Sequence, residues 1–324
     1  MKHKTLCLLG GTGFVGRRLL SLLSKRGHQI RVLSRHPQRH RDLSILPGVE
    51  LIKADVHNIV NLRQHFTQTD AVINLVGILN EGRDNGKGFH HAHVNLARNI
   101  HQACHDRGVS RLLQMSALNA DPAANSYYLR SKGEAEQLLQ KSTELQLTCF
   151  RPSVIFGPGD NFINRFAGIL KKTPLFFPLA CGYTRFAPVY VGDVAQAFVD
   201  SLEMQASYGQ TYDLCGPKIY SLQDIVEYVN QTLTLGRIIN PLGDTLSRLQ
   251  ANLLEHVPGK PFSKDNFRSL QVDSVCPQGS HDLQVFFGIH PSSMESIVPG
   301  YLLHQNDNRR YDHFRQQLYS LGHQ

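Results

Sequence analysis

Leu9-Gly10-Gly11-Thr12-Gly13-Phe14-Val15-Gly16 is the stretch on which the fold turns. Ahead of it, Thr5–Leu9 reads as a short buried strand. Behind it, Val15 to about Lys25 reads as a helix, with Leu19, Leu20, Leu22 and Leu23 at helical spacing and Arg17, Arg18 and Lys25 for its wet side. Each glycine answers a physical need. Gly10 allows the tight turn, Gly13 lets the backbone approach a pyrophosphate, and Gly16 permits close helix–strand packing. The helix N-terminus offers free N–H groups and a partial positive charge to the phosphate oxygens. Strand, loop and helix in this order predict that Gly10, Gly11, Thr12, Gly13, Phe14, Val15 and Gly16 cradle a dinucleotide.

Outward from this loop, strands and helices alternate in the manner of a parallel sheet. Strands are expected at Gln29–Ser34, Val49–Ile52, Ala71–Val76, Arg111–Ser116 and Leu147–Phe150, with helices around Val94–Asp106 and Ser131–Lys141. After Arg151-Pro152 the pattern loosens. Pro174 to Pro188 reads as a long loop, while Val189–Val191 and the helix after Asp193 are expected to rejoin the main sheet. The fold class is therefore α/β, a Rossmann doubly wound parallel sheet with a smaller mixed α/β domain. Residues 1–160, completed by about 188–215, would bind the dinucleotide; 161–187 and 216–324 would form the substrate or capping domain.

The chain has 324 residues, 41% of them hydrophobic and 19% charged, which describes an ordinary globular protein. No apolar run reaches the roughly 18–20 residues of a membrane-spanning helix. The apolar segment after Met1-Lys2-His3-Lys4 is too short for a secretory signal and runs into the glycine loop. A cytoplasmic location, or one peripheral to the inner face of a membrane, is expected. The six cysteines are scattered without a C-x-x-C pair and read as small buried hydrophobes rather than disulfide partners or zinc ligands, which suits a reducing compartment. Among seventeen histidines, His90, His91 and His93 cluster, but a solvated loop and helix start accounts for them better than a metal site. No metal is expected.

The net charge of +8 is partly local: Lys25, Arg26, Arg31, Arg35, Arg39 and Arg41 follow the first helix. Nucleic acid would call for interleaved aromatics, which this cluster lacks. A cofactor phosphate explains it better. At the end of the second strand, where NAD-users place an acidic ribose ligand, this chain has Ser34-Arg35. A guanidinium there can pair bidentately with a 2′-phosphate, so NADP(H) is preferred over NAD(H), against the alternative of a solvated basic loop.

Tyr128-Leu129-Arg130-Ser131-Lys132 is a Y-x-x-x-K motif whose first and last side chains share a helix face. Together with the G-x-x-G-x-x-G loop it resembles the extended and atypical short-chain dehydrogenase/reductases. That resemblance implies that Lys132 binds the nicotinamide ribose and lowers the phenol pKa of Tyr128 from about 10, making it an acid/base. It implies that Asp55, with Val56, holds the adenine, that Leu75, Val76 and Gly77 line the cofactor, and that Asn95 props the central strands. A hydroxyl should follow the fifth strand. Ser116 is the candidate, with Ala117 and Leu118 after it and Ser126, a candidate helix cap, in reserve.

Asn74-Leu75-Val76-Gly77-Ile78-Leu79, Met115-Ser116-Ala117-Leu118-Asn119-Ala120, Arg151-Pro152-Ser153-Val154-Ile155-Phe156-Gly157 and Pro188-Val189-Tyr190-Val191-Gly192-Asp193-Val194 narrow the resemblance. It is to the NAD(P)H-binding accessory subunit of mitochondrial complex I and its stand-alone bacterial relatives. Pro258-Gly259-Lys260-Pro261-Phe262, Asp265-Asn266 and Ser269–Val275 are similar to the bacterial members. The resemblance implies bound NADP(H), with Pro152 and Val154 beside it, and a link to quinone or respiratory membranes. The expected function is an NADP(H)-dependent oxidoreductase, epimerase-like in fold, acting on a carbonyl or quinone-type substrate. The alternative is a non-catalytic nucleotide-binding accessory or assembly module of a respiratory complex.

Calorimetry should show tighter binding of NADP(H) than of NAD(H). A guanidinium–phosphate contact contributes about 1.5–3 kcal/mol, roughly ten- to a hundredfold, and Arg35→Ala should erase that difference. Equal constants for both cofactors, unchanged by the substitution, would remove the basis for the preference.

Overall fold

A computed structural model describes residues 3–257, 260–277 and 282–303. Its strands are β1 (Thr5–Leu9), β2 (Gln29–Ser34), β3 (Val49–Lys53), β4 (Ala71–Asn74), β5 (Arg111–Met115), β6 (Gln146–Pro152), β7 (Ile155–Phe156), β8 (Phe176–Leu179), β9 (Arg185–Phe186), β10 (Val189–Tyr190), β11 (Gln210–Leu214), β12 (Tyr220–Ser221) and β13 (Ile238–Pro241). Seven of them form one sheet in the order β11-β6-β5-β4-β1-β2-β3, and every neighbouring pair is parallel.

The helices are α1 (Phe14–Lys25), α2 (Ile59–His65), α3 (Lys87–His90), α4 (Leu96–Arg107), α5 (Tyr127–Gln140), α6 (Ile163–Lys172), α7 (Val191–Ser201), α8 (Leu222–Thr232), α9 (Asp244–Leu254), α10 (Lys264–Ser269), α11 (Asp282–Phe287) and α12 (Met294–Leu302). Alternation along β1 explains why helices cover both faces of the sheet. Leu6 and Leu8 point into a core with Leu19, Leu20 and Leu23 of α1 and Val194 and Phe198 of α7. Cys7 and Leu9 point the other way, towards Leu62 of α2, Leu96 and Ile100 of α4 and Leu139 of α5. A third core, with Phe156, Leu170, Phe186, Ile225 and Val298, holds the elements that follow β6.

Several sequence expectations change. Val189–Tyr190 pairs with Ile155–Phe156 instead of joining the main sheet, whose last strand is β11. The Pro174–Pro188 segment contains β8, which pairs in parallel with the distant β13, and β9, which pairs antiparallel with β12. Both are short pairings made across long sequence separations, and local pattern carries no signal for them. Cys215 and Cys276 are joined in a disulfide, whereas Cys7, Cys104, Cys149 and Cys181 are buried free thiols. The disulfide closes a loop that folding brings together at the end of β11, so scattered spacing hid it. Pro258 and Gly259 of the C-terminal motif lie outside the described residues.

In the glycine loop, Gly10 and Gly16 admit no side chain. Gly10 has φ +78°, and a Cβ there would lie 3.0 Å from the Leu75 carbonyl carbon. A Cβ on Gly16 would lie 2.5 Å from the carbonyl oxygens of both Gly10 and Gly11. These atoms are backbone and cannot swing away. Gly16→Ala should therefore lower the melting temperature of the nucleotide-free protein, at a cost of about 1–3 kcal/mol for overpacking. Gly168→Ala in α6, where a Cβ meets nothing within 4 Å, should leave stability unchanged or slightly raised. Equal melting curves for the two variants would contradict this account of the loop.

Candidate functional site

The carboxyl ends of β1, β4, β5 and β6 open onto one cleft, the usual ligand position of a doubly wound sheet. α1 begins directly behind the loop with Gly13 as N-cap, no side-chain cap and no acidic residue in its first turn. Its first amides are thus left for an anionic ligand. Thr12, Phe14 and Val15 surround them. Leu75 is anchored by its N–H to the Leu9 carbonyl (2.9 Å) and Val76 by its N–H to Asn74 Oδ1 (3.1 Å), which lays Leu75–Gly77 beside Gly10.

At the other end of the cleft, Ser34 Oγ accepts from His36 N (3.3 Å) and Arg35 is exposed, with no ion pair among the described residues. Part of the basic cluster, and Arg17 of α1 before it, has structural work. Arg26 pairs with Asp200 (2.6 Å), Arg31 donates to the Thr67 carbonyl (2.7 Å), and Arg17 pairs with Asp42. Arg35, Arg39 and Arg41 remain exposed. Asp55 is exposed and caps its own turn, accepting from His57 N (3.0 Å); Val56 beside it is half-buried. Sequence reading missed His57, which stacks on His91 at 4.2 Å and has a buried Nδ1 without a partner among the described residues.

The Tyr–Lys helix is held by residues of which only a few were visible in sequence. Ser126 caps α5, accepting from Leu129 N (3.3 Å). Asp265 of α10, itself buried, accepts from Tyr127 N (2.7 Å), Tyr128 N (3.0 Å) and Ser126 Oγ (3.0 Å). Arg268 donates to Asp265 and also pairs with Asp84. Local pattern marks Asp265 only as an acidic residue in the first turn of its own helix, and nothing nearby points to α5.

A π turn, His91–Asn95, joins α3 to α4 and turns His93 inwards. The structure corrects the solvated reading of this residue: His91 is exposed, but His93 is buried. His93 Nε2 accepts from Ile78 N (3.3 Å), so Nδ1 carries the proton and donates to Ser131 Oγ (2.8 Å), which donates to the Tyr128 carbonyl (2.8 Å). Burial, aided by Lys132, depresses its pKa to about 2, so it is a neutral strut at any ordinary pH.

Asn95 does not prop the strands. It accepts from Arg98 Nη1 (3.0 Å) and faces a surface depression of about 460 Å³ with Arg130 and Glu134, on the side of α5 away from Tyr128 and Lys132. The strands are braced instead by Asn74 Nδ2 donating to Gln114 Oε1 (2.9 Å), both buried.

Lys132 is buried. Its Nζ donates to the Met115 carbonyl (3.2 Å), and the Glu136 carboxylate lies one turn further along α5, held by Arg151 Nε at 2.9 Å. Desolvation lowers the ammonium pKa to about 8, partly opposed by Glu136. A Cβ on Gly77 would come within 3.2 Å of Nζ, so the glycine keeps space open in front of the ammonium.

The expected lowering of the Tyr128 pKa is not found. Burial pushes the phenol up to about 12. Its neighbours are the rings of His93 and Phe89, and its hydroxyl makes no hydrogen bond to a described residue. Ser116 is buried at the end of β5; its N–H donates to the Phe150 carbonyl (2.7 Å) and its Oγ has no partner among the described residues. Ala117 and Leu118 follow it, and Leu118 N donates to the Pro152 carbonyl (3.0 Å). Val154 is half-buried beside Pro152, its carbonyl accepting from Val189 N (3.0 Å).

These residues define a nucleotide-binding short-chain dehydrogenase-like protein. Residues 6–215 match the NAD dependent epimerase/dehydratase family, and the chain belongs to it. Over 298 residues it is 30% identical to the mouse (Mus musculus) mitochondrial NADH dehydrogenase (ubiquinone) 1 alpha subcomplex subunit 9, a match that spans 89% of this chain and 77% of that one. It is 28% identical over 195 residues to a protein named Ceramide reductase from Caulobacter vibrioides, spanning 59% of each. The Bordetella bronchiseptica enzyme WbmH, solved with NAD+, shares the fold at a TM-score of 0.72 and 18% identity, covering 93% of this chain and 98% of that one. Among the described residues no helix is long and apolar enough to cross a membrane.

The cleft fits an NAD(P)-type dinucleotide: backbone positions in the glycine loop reject a Cβ, a helix N-terminus is uncapped, and a buried ammonium faces a glycine. Were Lys132 to meet the nucleotide, its ammonium, with a pKa of about 8, would have to be protonated, and a bound anionic ligand would raise that pKa. Affinity should therefore be level below pH 8 and fall as the pH rises above it. Calorimetry at about pH 7 and about pH 9.5 should show roughly tenfold weaker binding at the higher value, and Lys132→Met should flatten the difference. A slope that survives in Lys132→Met would assign it to another group.

Proposed function

We propose that this chain holds NADP(H) as a resident ligand and acts as an accessory or assembly module of a respiratory complex, without turning the nucleotide over. The observation that carries the reading is the state of Tyr128. Its ring is half-buried against His93 and Phe89, desolvation raises its pKa to about 12, and the ammonium expected to activate it is turned to the Met115 carbonyl. After β5, Ala117 and Leu118 offer no hydroxyl to a substrate. The match to a protein named as an NADH dehydrogenase subunit, over 89% of this chain, supports the association with a respiratory complex. Arg35 and Ser34, in place of an acidic ribose ligand, support NADP(H) over NAD(H).

The residues proposed to hold the ligand are the Gly10–Gly16 loop at the pyrophosphate, Ser34 and Arg35 at the adenosine ribose, and Asp55 and Val56 at the adenine. Leu75–Gly77, Lys132, Pro152 and Val154 would hold the nicotinamide half. A bound nicotinamide supplies hydride chemistry. In the accessory reading the protein leaves that capacity unused and gains stability from the ligand.

A second reading, a reductase of a carbonyl or quinone-type compound, is favoured by Tyr128 and Lys132 lying on one face of α5 and by the relative named Ceramide reductase. In that reading Ser116 Oγ would orient the substrate oxygen and Tyr128 would supply its proton.

Two substitutions separate the readings. In the accessory module, Tyr128→Phe leaves NADPH binding and thermal stability unchanged, whereas Lys132→Ala removes the stabilisation that NADPH confers. In the enzyme, Tyr128→Phe lowers turnover by ~10²–10⁴-fold with affinity nearly intact. A screen of quinones, ketones and nucleotide sugars that reveals NADPH oxidation dependent on Tyr128 would overturn the accessory reading.

A further inference from the structure

α9 is built the wrong way round for a helix that only packs on its own protein. The residues it buries are small, Ser247 at 0% exposure and Ala251 at 1%. Three of its four leucines face outwards, Leu246 at 54% exposure, Leu249 at 53% and Leu253 at 65%, while Leu254 is half-buried. Their spacing of three and four residues places them in one stripe. Ser247 fixes the helix, donating to the Leu242 carbonyl (3.2 Å) and accepting from Cys181 N (3.1 Å), while Gln250 Nε2 donates to the Pro178 carbonyl (3.2 Å). The leucine stripe therefore runs beside the β8–β13 ribbon. On that ribbon Phe176 pairs with Ile238, and both side chains are exposed while Ile239 is buried.

The segments that carry this apolar face hold more basic than acidic residues. Lys171 and Lys172 end α6 just before Leu175 and are exposed. Arg237 leads into β13, its Nε 3.4 Å from the Leu170 carbonyl, and Arg248 projects from α9. Asp244 is the one carboxylate in the sequences of α9, β8 and β13. Exposed leucines and a phenylalanine on segments flanked in sequence by lysine and arginine match the boundary of an anionic bilayer, where apolar side chains enter the acyl region and cations meet headgroup phosphates.

We propose that α9 and the β8–β13 ribbon form a docking face for an anionic lipid surface. The face lies apart from the glycine loop and does not depend on what the nucleotide does. Leu246, Leu249 and Leu253, which belong to none of the inner cores, gain a reason, and so does a helix whose fully buried residues are small.

The test uses the full chain with two vesicle preparations, phosphatidylcholine alone and phosphatidylcholine with phosphatidylglycerol, read by flotation. The protein is expected to float with the anionic vesicles at least tenfold more than with the neutral ones. The pair Leu249→Ser and Leu253→Ser, and separately Lys171→Glu with Lys172→Glu, should each reduce flotation at least tenfold. Both pairs are exposed, and unchanged thermal melting and NADPH affinity verify that each variant is folded; they also keep failure of this face separate from failure of the nucleotide reading. Absence of flotation with either preparation, or flotation indifferent to the leucine changes, would overturn the proposal. So would light scattering that shows a dimer dissociated by the leucine changes, since the stripe would then be covered by a second copy.

Discussion

The carboxylate of Asp265, placed against the first turn of α5, is the interaction on which the site's geometry rests. It reaches this position from α10, far away in sequence, and accepts from two backbone amides and one hydroxyl of the helix it caps. A carboxylate at a helix N-terminus satisfies amides that have no intrahelical partner and meets the positive end of the helix dipole, a contribution of up to about 2 kcal/mol in partly buried settings. Arg268 then balances the buried charge and passes the connection to Asp84, in the segment after β4. Lys260 holds the same segment, donating to the carbonyls of Glu81 (3.0 Å) and Gly82 (2.9 Å). The sheet, the Tyr–Lys helix and the C-terminal elements are thus tied through one small polar cluster.

The same cluster bears on chemistry. Negative charge at the N-terminus of α5 removes much of the positive potential that would otherwise favour a tyrosinate in its first turn. Lys132 lies one turn further in, close to Glu136 and bonded to Met115, so its charge is already partly answered from within the protein. Tyr128 is left among rings, with its proton held. Side chains that match a catalytic pattern take their pKa from desolvation and neighbouring charge rather than from sequence spacing.

A second polar economy appears at the cleft's mouth. The segment from Leu270 to Cys276 crosses it, with Ser153 Oγ donating to the Ser274 carbonyl (2.6 Å), Asn119 Nδ2 to the Asp273 carbonyl (2.8 Å) and Thr184 Oγ1 to the Leu270 carbonyl (2.6 Å). The Cys215–Cys276 disulfide secures its far end to the sequence after β11. Loop backbone is satisfied here by single side chains from separate places in the chain, so the C-terminal residues complete the rim of the cleft instead of standing off from it.

By itself the sequence determined the parallel sheet, the glycine loop, the Y-x-x-x-K helix and the likeness to the complex I accessory subunit. These depend on short periods, on backbone positions that exclude a Cβ, and on residue spacings within one element, all of which are local properties. Only the tertiary structure decided that His93 is a buried neutral strut, that Gln114 rather than Asn95 braces the central strands, and that Cys215 meets Cys276. It also turned Phe176–Leu179 from loop into a strand beside Ile238–Pro241 and placed Tyr128 against the rings of Phe89 and His93, where desolvation raises its pKa. Each of these depends on which groups folding brings together from distant parts of the chain, and on how much water it removes from between them. Neither quantity is written in any short window of residues.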